Sequence, residues 1–73
     1  MIYVFLATGF EEIEALTPID IMRRAGLEVV TVSVTGDKTV VGTHGVPVTA
    51  DILLGEADFA AAEMLVLPGG LPG

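Results

Sequence analysis

The sequence predicts an α/β fold built on a parallel β-sheet, and three features of the chain indicate it. Ile2–Thr8 and Met64–Leu67 are continuous apolar runs, which is typical of strands covered on both faces. A helical pattern runs from Glu11 to about Ala25, and Glu28–Val34 follows as a second strand. Strand, helix and strand within about 34 residues form a βαβ unit with a right-handed crossover.

The predicted helix is amphipathic and has a recognisable carboxyl end. Ala15, Ile19 and Met22 recur at positions i, i+4 and i+7, so they share one face of the helix. Two arginines and then Gly26 follow, which places cations at the negative end of the helix dipole and a glycine at the cap. We therefore expect the helix to end at this glycine.

The start of the helix has two interpretations because Pro18 lies inside the pattern. A helix that runs through Pro18 loses the main-chain partner of the Glu14 carbonyl and bends there. Alternatively, Thr17 caps a helix that has Pro18 at its first position. We predict the first arrangement.

The remainder of the chain predicts short extended segments. Residues 35–38 form a turn, and the segments on either side of Gly42–Gly45 predict a hairpin or an excursion at the sheet edge. Leu54–Ala62 fits either a short helix or a loop with one turn. Met64–Leu67 predicts a further buried strand, which Pro68 and two glycines end.

Composition indicates a globular protein whose core is incomplete. The chain has 73 residues, of which 52 % are hydrophobic, and no cysteine, while its lone His44 cannot build a zinc site. A core of this size supplies only about 3–5 kcal/mol. At least three buried strands are matched by one helix, although a parallel sheet needs cover on both faces. We therefore predict that residues 1–73 are the N-terminal portion of a single larger α/β domain.

Charge excludes several classes of partner. Ten acidic residues against three basic ones give a formal net charge of −7, which disfavours nucleic acid and anionic lipid surfaces. The opening apolar run has no basic n-region and is too short to span a bilayer. A cytoplasmic location is the resulting prediction.

Three carboxylates gather after the first strand. Glu11 and Glu12 fit the first turn of the helix, where negative side chains meet free N–H groups. Glu14 falls near the carboxyl end of the first strand, where open α/β sheets bind ligands. The segment lacks G-x-G-x-x-G, and no further acid follows the Met64–Leu67 strand, so we expect neither a dinucleotide cofactor nor a metal.

A glycine pair follows the last predicted strand. In "LPGG", Gly69 and Gly70 can turn their backbone N–H groups toward a ligand or a developing oxyanion. An ordinary glycine turn explains the same residues equally simply.

Taken together, these motifs resemble the ThiJ/PfpI family. The E-E-x-E-x-x-x-P-x-D-x-x-R-R-A-G run, followed some forty residues later by "LVLPGG", is similar to the subgroup that contains the parkinsonism-associated deglycase. The likeness extends over Ile2–Gly70 in the same order and spacing, and the long run is specific where "LPGG" alone would not be. The resemblance implies a flavodoxin-like (class I glutamine amidotransferase-like) parallel-sheet sandwich that forms homodimers.

The resemblance also implies a site. Its reactive group is a cysteine on a strained strand-to-helix turn, often with a histidine nearby. The family carboxyl that falls on Glu14 is protonated and hydrogen-bonds the sulfur, which favours thiolate. The Gly69 and Gly70 amides would line the same pocket, so we expect Glu14 to point into it and Glu11 to be the more exposed of the two acids. No cofactor is implied. His44 falls where members often carry a basic residue that faces the dimer partner; a plain loop histidine is the alternative. This chain contains no cysteine, so we expect the nucleophile in a segment beyond residue 73.

The resemblance leaves the activity open between three hypotheses. The first is a cysteine-dependent enzyme of glyoxalase or deglycase type that acts on small reactive carbonyl compounds. The second is a redox-sensing or chaperone-like protein of oxidative stress, whose cysteine is oxidised rather than turned over. The third is a peptidase or amidase, which other branches of the family suggest.

Overall fold

The computed structural model describes residues 1–70, which contain one long helix, a parallel sheet and a hairpin. The helix α1 is Glu12–Arg24. The strands, in chain order, are β1 Ile2–Leu6, β2 Val29–Ser33, β3 Thr39–Val41, β4 Pro47–Thr49, β5 Ile52–Leu53 and β6 Met64–Val66. The α/β class, the helix and the predicted hairpin, which β3 and β4 form as an antiparallel pair, are confirmed.

The parallel sheet has the order β5-β2-β1-β6. β1 pairs with β2 from Ile2↔Val29 to Leu6↔Ser33, and with β6 on its other side from Ile2↔Met64. The chain thus builds outward from β1 to β2 and β5 and then returns to the opposite side of β1. This reversal places the topological switch point between β1 and β6, at the carboxyl ends of the two strands.

Helix α1 begins early and passes through Pro18, as predicted. Glu11 is its N-cap, with a side chain that accepts from the Ile13 amide, and the cap geometry excludes a start at Thr17. The early start is favoured because Ala15, in the turn before the proline, is fully buried. Gly26 follows the helix with φ +84°, which a glycine adopts without strain.

The core lies between α1 and one face of the sheet. Helix residues Ala15 and Ile19 pack there with the alternate β1 side chains and with the hairpin. The core cluster comprises Ile2, Val4, Leu6, Phe10, Ala15, Ile19, Val29, Val40 and Ala50.

The opposite face of β1 presents Tyr3 and Phe5, and the 54–62 segment crosses it. This segment forms two short 3₁₀ turns, Leu54–Glu56 and Phe59–Ala61, rather than the single turn or short helix expected. The Phe59 ring lies 5.9 Å from the Tyr3 ring and 6.0 Å from the Phe5 ring, and the Tyr3 hydroxyl accepts from the Asp58 amide at 2.8 Å. These contacts give that face partial cover.

The burial predicted for the last strand is wrong. β6 forms as expected, but Met64 and Leu65 are half exposed and Leu67 is 79 % exposed. The reason is position: β6 is an edge strand, and within residues 1–70 no helix covers it.

Among residues 1–70, no helix has the length and apolar character needed to cross a membrane.

Candidate functional site

The amino end of α1 is where three segments of the chain meet. The Gly9 amide donates to the Val41 carbonyl at 2.9 Å, and the Thr43 amide donates to the Phe10 carbonyl at 2.8 Å, so the hairpin is attached to the β1–α1 connection. The Glu11 amide donates to the Gly69 carbonyl at 2.7 Å, which attaches the segment after β6. This junction lies at the switch point between β1 and β6.

One side of the junction is the contact between α1 and the glycines that follow β6. We call it the glycine-turn contact, and it is formed by Glu14, Gly69 and Gly70. The Gly69 amide donates to Glu14 Oε1 at 3.1 Å, and Gly70 forms an isolated antiparallel bridge with Phe10. The predicted proximity of Glu14 to Gly69 is therefore observed, whereas Gly70 lies against Phe10. Gly70 has φ +142°, and a Cβ there would lie 2.3 Å from the Gly9 carbonyl oxygen, so this position requires glycine.

The predicted order of exposure, with Glu11 more exposed than Glu14, is wrong. The Glu14 side chain is exposed, whereas that of Glu11 is 23 % exposed. Glu11 folds back to cap the Ile13 amide, and its Oε2 lies 3.8 Å from Nδ1 of His44. Capping therefore brings Glu11 inward, whereas Glu14 contacts the glycine turn and stays exposed.

The hairpin contact, formed by Glu12, Gly42, His44 and Val46, was missed by the sequence reasoning. Glu12 Oε2 accepts from the His44 amide at 2.8 Å and from the Val46 amide at 3.3 Å, while Oε1 lies 2.7 Å from Nδ1 of the His44 ring. Glu12 is only 7 % exposed. Glu12 lies in the first turn of α1, as expected, and its carboxylate also fixes the hairpin turn to α1, which was not expected.

Gly42 makes this contact possible. A Cβ at Gly42 would lie 2.4 Å from the Cδ atom of Glu12, so the carboxylate occupies the space that a side chain would need. The interpretation of His44 as a plain loop histidine is also too weak, because its ring and amide both bind Glu12. No local spacing rule signals a partnership between residues so distant in the chain.

In the hairpin contact, Glu12 and His44 each shift the pKa of the other toward its charged form. Burial alone would raise the pKa of Glu12, but hydrogen bonds from the His44 ring and from backbone amides, including those of His44 and Val46, lower it to about 2. The pKa of His44 is raised by its hydrogen bond to Glu12, then by the charges of Glu12 and Glu11, against a smaller opposing effect of burial. The contact is therefore an ion pair at mildly acidic pH.

Glu11, Glu12 and His44 also bring three possible metal ligands within 4.8 Å of one another. The hydrogen bonds above already use both Glu12 oxygens and Nδ1 of His44, the atoms that an ion would need. We assign no metal to this cluster.

A surface pocket lined in part by Met1, Leu27 and Met64 lies at the amino ends of the strands. The junction lies at the other end of the sheet, where the strands have their carboxyl ends.

Comparison with known proteins gives the family. The sequence model of the DJ-1/PfpI family matches residues 1–73. The chain belongs to the DJ-1/PfpI family. DJ-1/PfpI is thus the family that the E-E-x-E and "LPGG" motifs indicated, and the predicted resemblance is confirmed.

Relatives within the DJ-1/PfpI family match most of this chain. Protein DJ-1 homolog B from Arabidopsis thaliana is 40 % identical over 68 residues, covering 93 % of this chain and 16 % of that protein. The uncharacterized protein SAV1875 from Staphylococcus aureus is 37 % identical over 67 residues, covering 92 % of this chain and 39 % of that protein. The chain therefore spans well under half the length of these relatives.

Solved DJ-1 structures match the fold. The Toxoplasma gondii DJ-1 structure, described as oxidized, has a TM-score of 0.93 and 42 % identity, covering 99 % of this chain and 39 % of that one. A cysteine-to-alanine mutant of the DJ-1 superfamily protein STM1931 from Salmonella typhimurium has a TM-score of 0.92 at 42 % identity, with the same coverage. The flavodoxin-like α/β architecture expected from the resemblance is confirmed.

Proposed function

We propose that residues 1–73 are the N-terminal portion of a single DJ-1/PfpI domain in a cysteine-dependent protein. In this proposal the full-length protein acts on small reactive carbonyl compounds as a glyoxalase or deglycase, and it works as a cytoplasmic homodimer. Coverage supports the division of the domain, since nearly all of this chain aligns with 39 % of each of the two solved relatives.

The observation that carries the proposal is the glycine-turn contact at the switch point. An exposed carboxylate, Glu14, stands at the amino end of α1 with one oxygen held by the Gly69 amide. Ligands of open α/β sheets bind in the crevice outside the carboxyl ends of the strands at this position. Among residues 1–70, the exposed acid and the glycine turn come together here.

In this proposal the reacting group is a cysteine from a segment beyond residue 73. Glu14, Gly69 and Gly70 orient and activate that cysteine. With Oε1 of Glu14 oriented by Gly69, the second oxygen, carrying the carboxyl proton as the family resemblance implies, is left to donate a hydrogen bond to a cysteine sulfur brought into the crevice. A hydrogen bond to the sulfur favours thiolate, which is the nucleophile that attacks a carbonyl carbon. The turn at Gly69 and Gly70 supplies backbone amides beside the same point.

The relatives support a functional cysteine. The Salmonella protein was studied as a cysteine-to-alanine mutant, and the Toxoplasma protein in an oxidized form. The oxidized form favours redox sensing as the second candidate function, in which the same thiolate is oxidised instead of turning over a substrate.

The test uses the full-length protein and methylglyoxal. We expect turnover to be lost when the cysteine nearest Glu14 is replaced by serine, and to fall at least about tenfold in Glu14→Gln. Glu28→Gln is the matched control, since Glu28 is an exposed acid at the amino end of β2, away from the junction. Full turnover in the cysteine variant would overturn the proposal.

A second measurement separates the two candidate functions. Mass spectrometry after mild peroxide treatment reports addition of oxygen to the cysteine. Oxidation of the wild type without turnover of methylglyoxal would favour the redox sensor over the enzyme.

A further inference from the structure

We propose that Glu12 and His44 are positioning residues for the Glu14 site, and that the charge on His44 sets how firmly the amino end of α1 is held against the glycine turn. The inference deepens the proposed function and rests on it only for the kinetic measurement below. Neither residue is placed in contact with substrate.

The first step is that the Glu12 carboxylate binds the hairpin turn and is largely shielded from solvent. Its carboxylate accepts from two backbone amides of the turn and from the imidazole, and its side chain is 9 % exposed, against 67 % for His44. Charge-assisted hydrogen bonds of this kind are stronger than neutral ones. Breaking them would leave a buried carboxylate unpaired, so the contact resists loosening.

The second step is that the hairpin and the glycine turn are attached to adjacent residues. The Phe10 carbonyl accepts from Thr43 in the hairpin, and the Glu11 amide donates to Gly69. Glu12 and Glu14 then follow in the first turn of α1, one bound to His44 and the other to Gly69. Hydrogen bonds on either side of residues 10–14, joined by the backbone of that segment, therefore connect the imidazole to the glycine turn.

The third step concerns the charges around the imidazole. Within residues 1–70, the charged groups that face His44 are Glu11 and Glu12, both from the start of α1, and the hairpin turn adds only backbone groups. The two acids raise the pKa of His44, so the imidazolium is held below pH 6.5 and is lost as the pH rises through the raised value. Neutral His44 keeps a hydrogen bond to Glu12 in one tautomer but loses the ionic attraction.

The experiment records the NMR signals of the Gly69 amide and of the His44 ring in the full-length protein between pH 5 and pH 9. In the wild type we expect the Gly69 amide resonance to shift with the same inflection as the His44 ring. In His44→Asn the side-chain amide replaces Nδ1–H as donor without titrating, so the inflection at Gly69 should vanish while the fold is kept. Glu28→Gln is the control and should retain the inflection.

The kinetic measurement repeats the comparison with methylglyoxal. The wild-type pH profile of kcat/KM should show the His44 inflection, and His44→Asn should lose it without losing turnover. A Gly69 shift that is independent of His44, or an inflection that survives in His44→Asn, would overturn the proposal. Absence of turnover in the wild type would instead overturn the proposed enzymatic function and leave the NMR result to stand by itself.

Discussion

Two carboxylates in the first turn of α1 are held in opposite ways. Glu12 is buried and receives three hydrogen-bond donors from the hairpin turn, whereas Glu14 is exposed and receives the Gly69 amide. The hairpin contact is complete within residues 1–70, and the glycine-turn contact leaves an oxygen of its acid open. The difference separates a carboxylate that holds the structure together from one that remains available for chemistry.

The largest effect should come from studying residues 1–73 alone. The β6 side of the sheet is exposed, and burial at about 25 cal/mol per Å² must offset ordering costs of about 1–2 kcal/mol per residue. We expect soluble aggregates or fast amide exchange throughout, measured by hydrogen exchange and analytical ultracentrifugation. A monomer with slowly exchanging strand amides would show that the open side needs no further cover.

The next largest effect should come from Gly42→Ala. The new Cβ would meet the buried Glu12 carboxylate at 2.4 Å, so the hairpin contact must shift. We expect the free energy of unfolding of the full-length protein to fall by about 1–3 kcal/mol in urea titrations. Gly55→Ala is the matched control, because nothing lies within 4 Å of its Cβ position. Equal losses in the two variants would contradict the assignment.

The third effect is the pH dependence of stability. Because the pKa of Glu12 is lowered from 4.5 to about 2, its contribution is present above pH 4.5 and is lost as the pH falls toward 2. Because the pKa of His44 is raised above 6.5, its contribution is full below pH 6.5 and is lost at higher pH. The Tm of the wild type should therefore exceed that of His44→Asn most between these limits, and the difference should shrink on either side. A difference independent of pH would count against the ion pair.

The smallest effect on stability should come from Glu14→Gln. Glu14 is exposed, and glutamine can still accept from the Gly69 amide, so we expect the free energy of unfolding to change by no more than about 0.5 kcal/mol. The same variant should lose most of the turnover. If instead the protein were strongly destabilised, Glu14 would belong with Glu12 as a structural acid.

Local patterns predicted the elements, and long-range contacts decided the site. The apolar run at β1 and the periodic face of α1 depend on neighbours in sequence, so the sheet and the helix through Pro18 were predictable. Glu12 binds His44, a residue on a distant hairpin, and no local pattern signals such a pair. The burial expected for β6 failed because burial depends on what covers a strand, which its own residues do not encode.

The central place of β1 has a consequence for how the chain folds during synthesis. β1 leaves the ribosome before β2, and the two strands can pair as soon as α1 and β2 have been made. The other edge of β1 stays unpaired until Met64 and Val66 have been synthesised. Until then, the backbone N–H and C=O groups along that edge have no strand partner. Translation speed through the hairpin and the 3₁₀ turns therefore sets how long the nascent chain can pair wrongly with a neighbour.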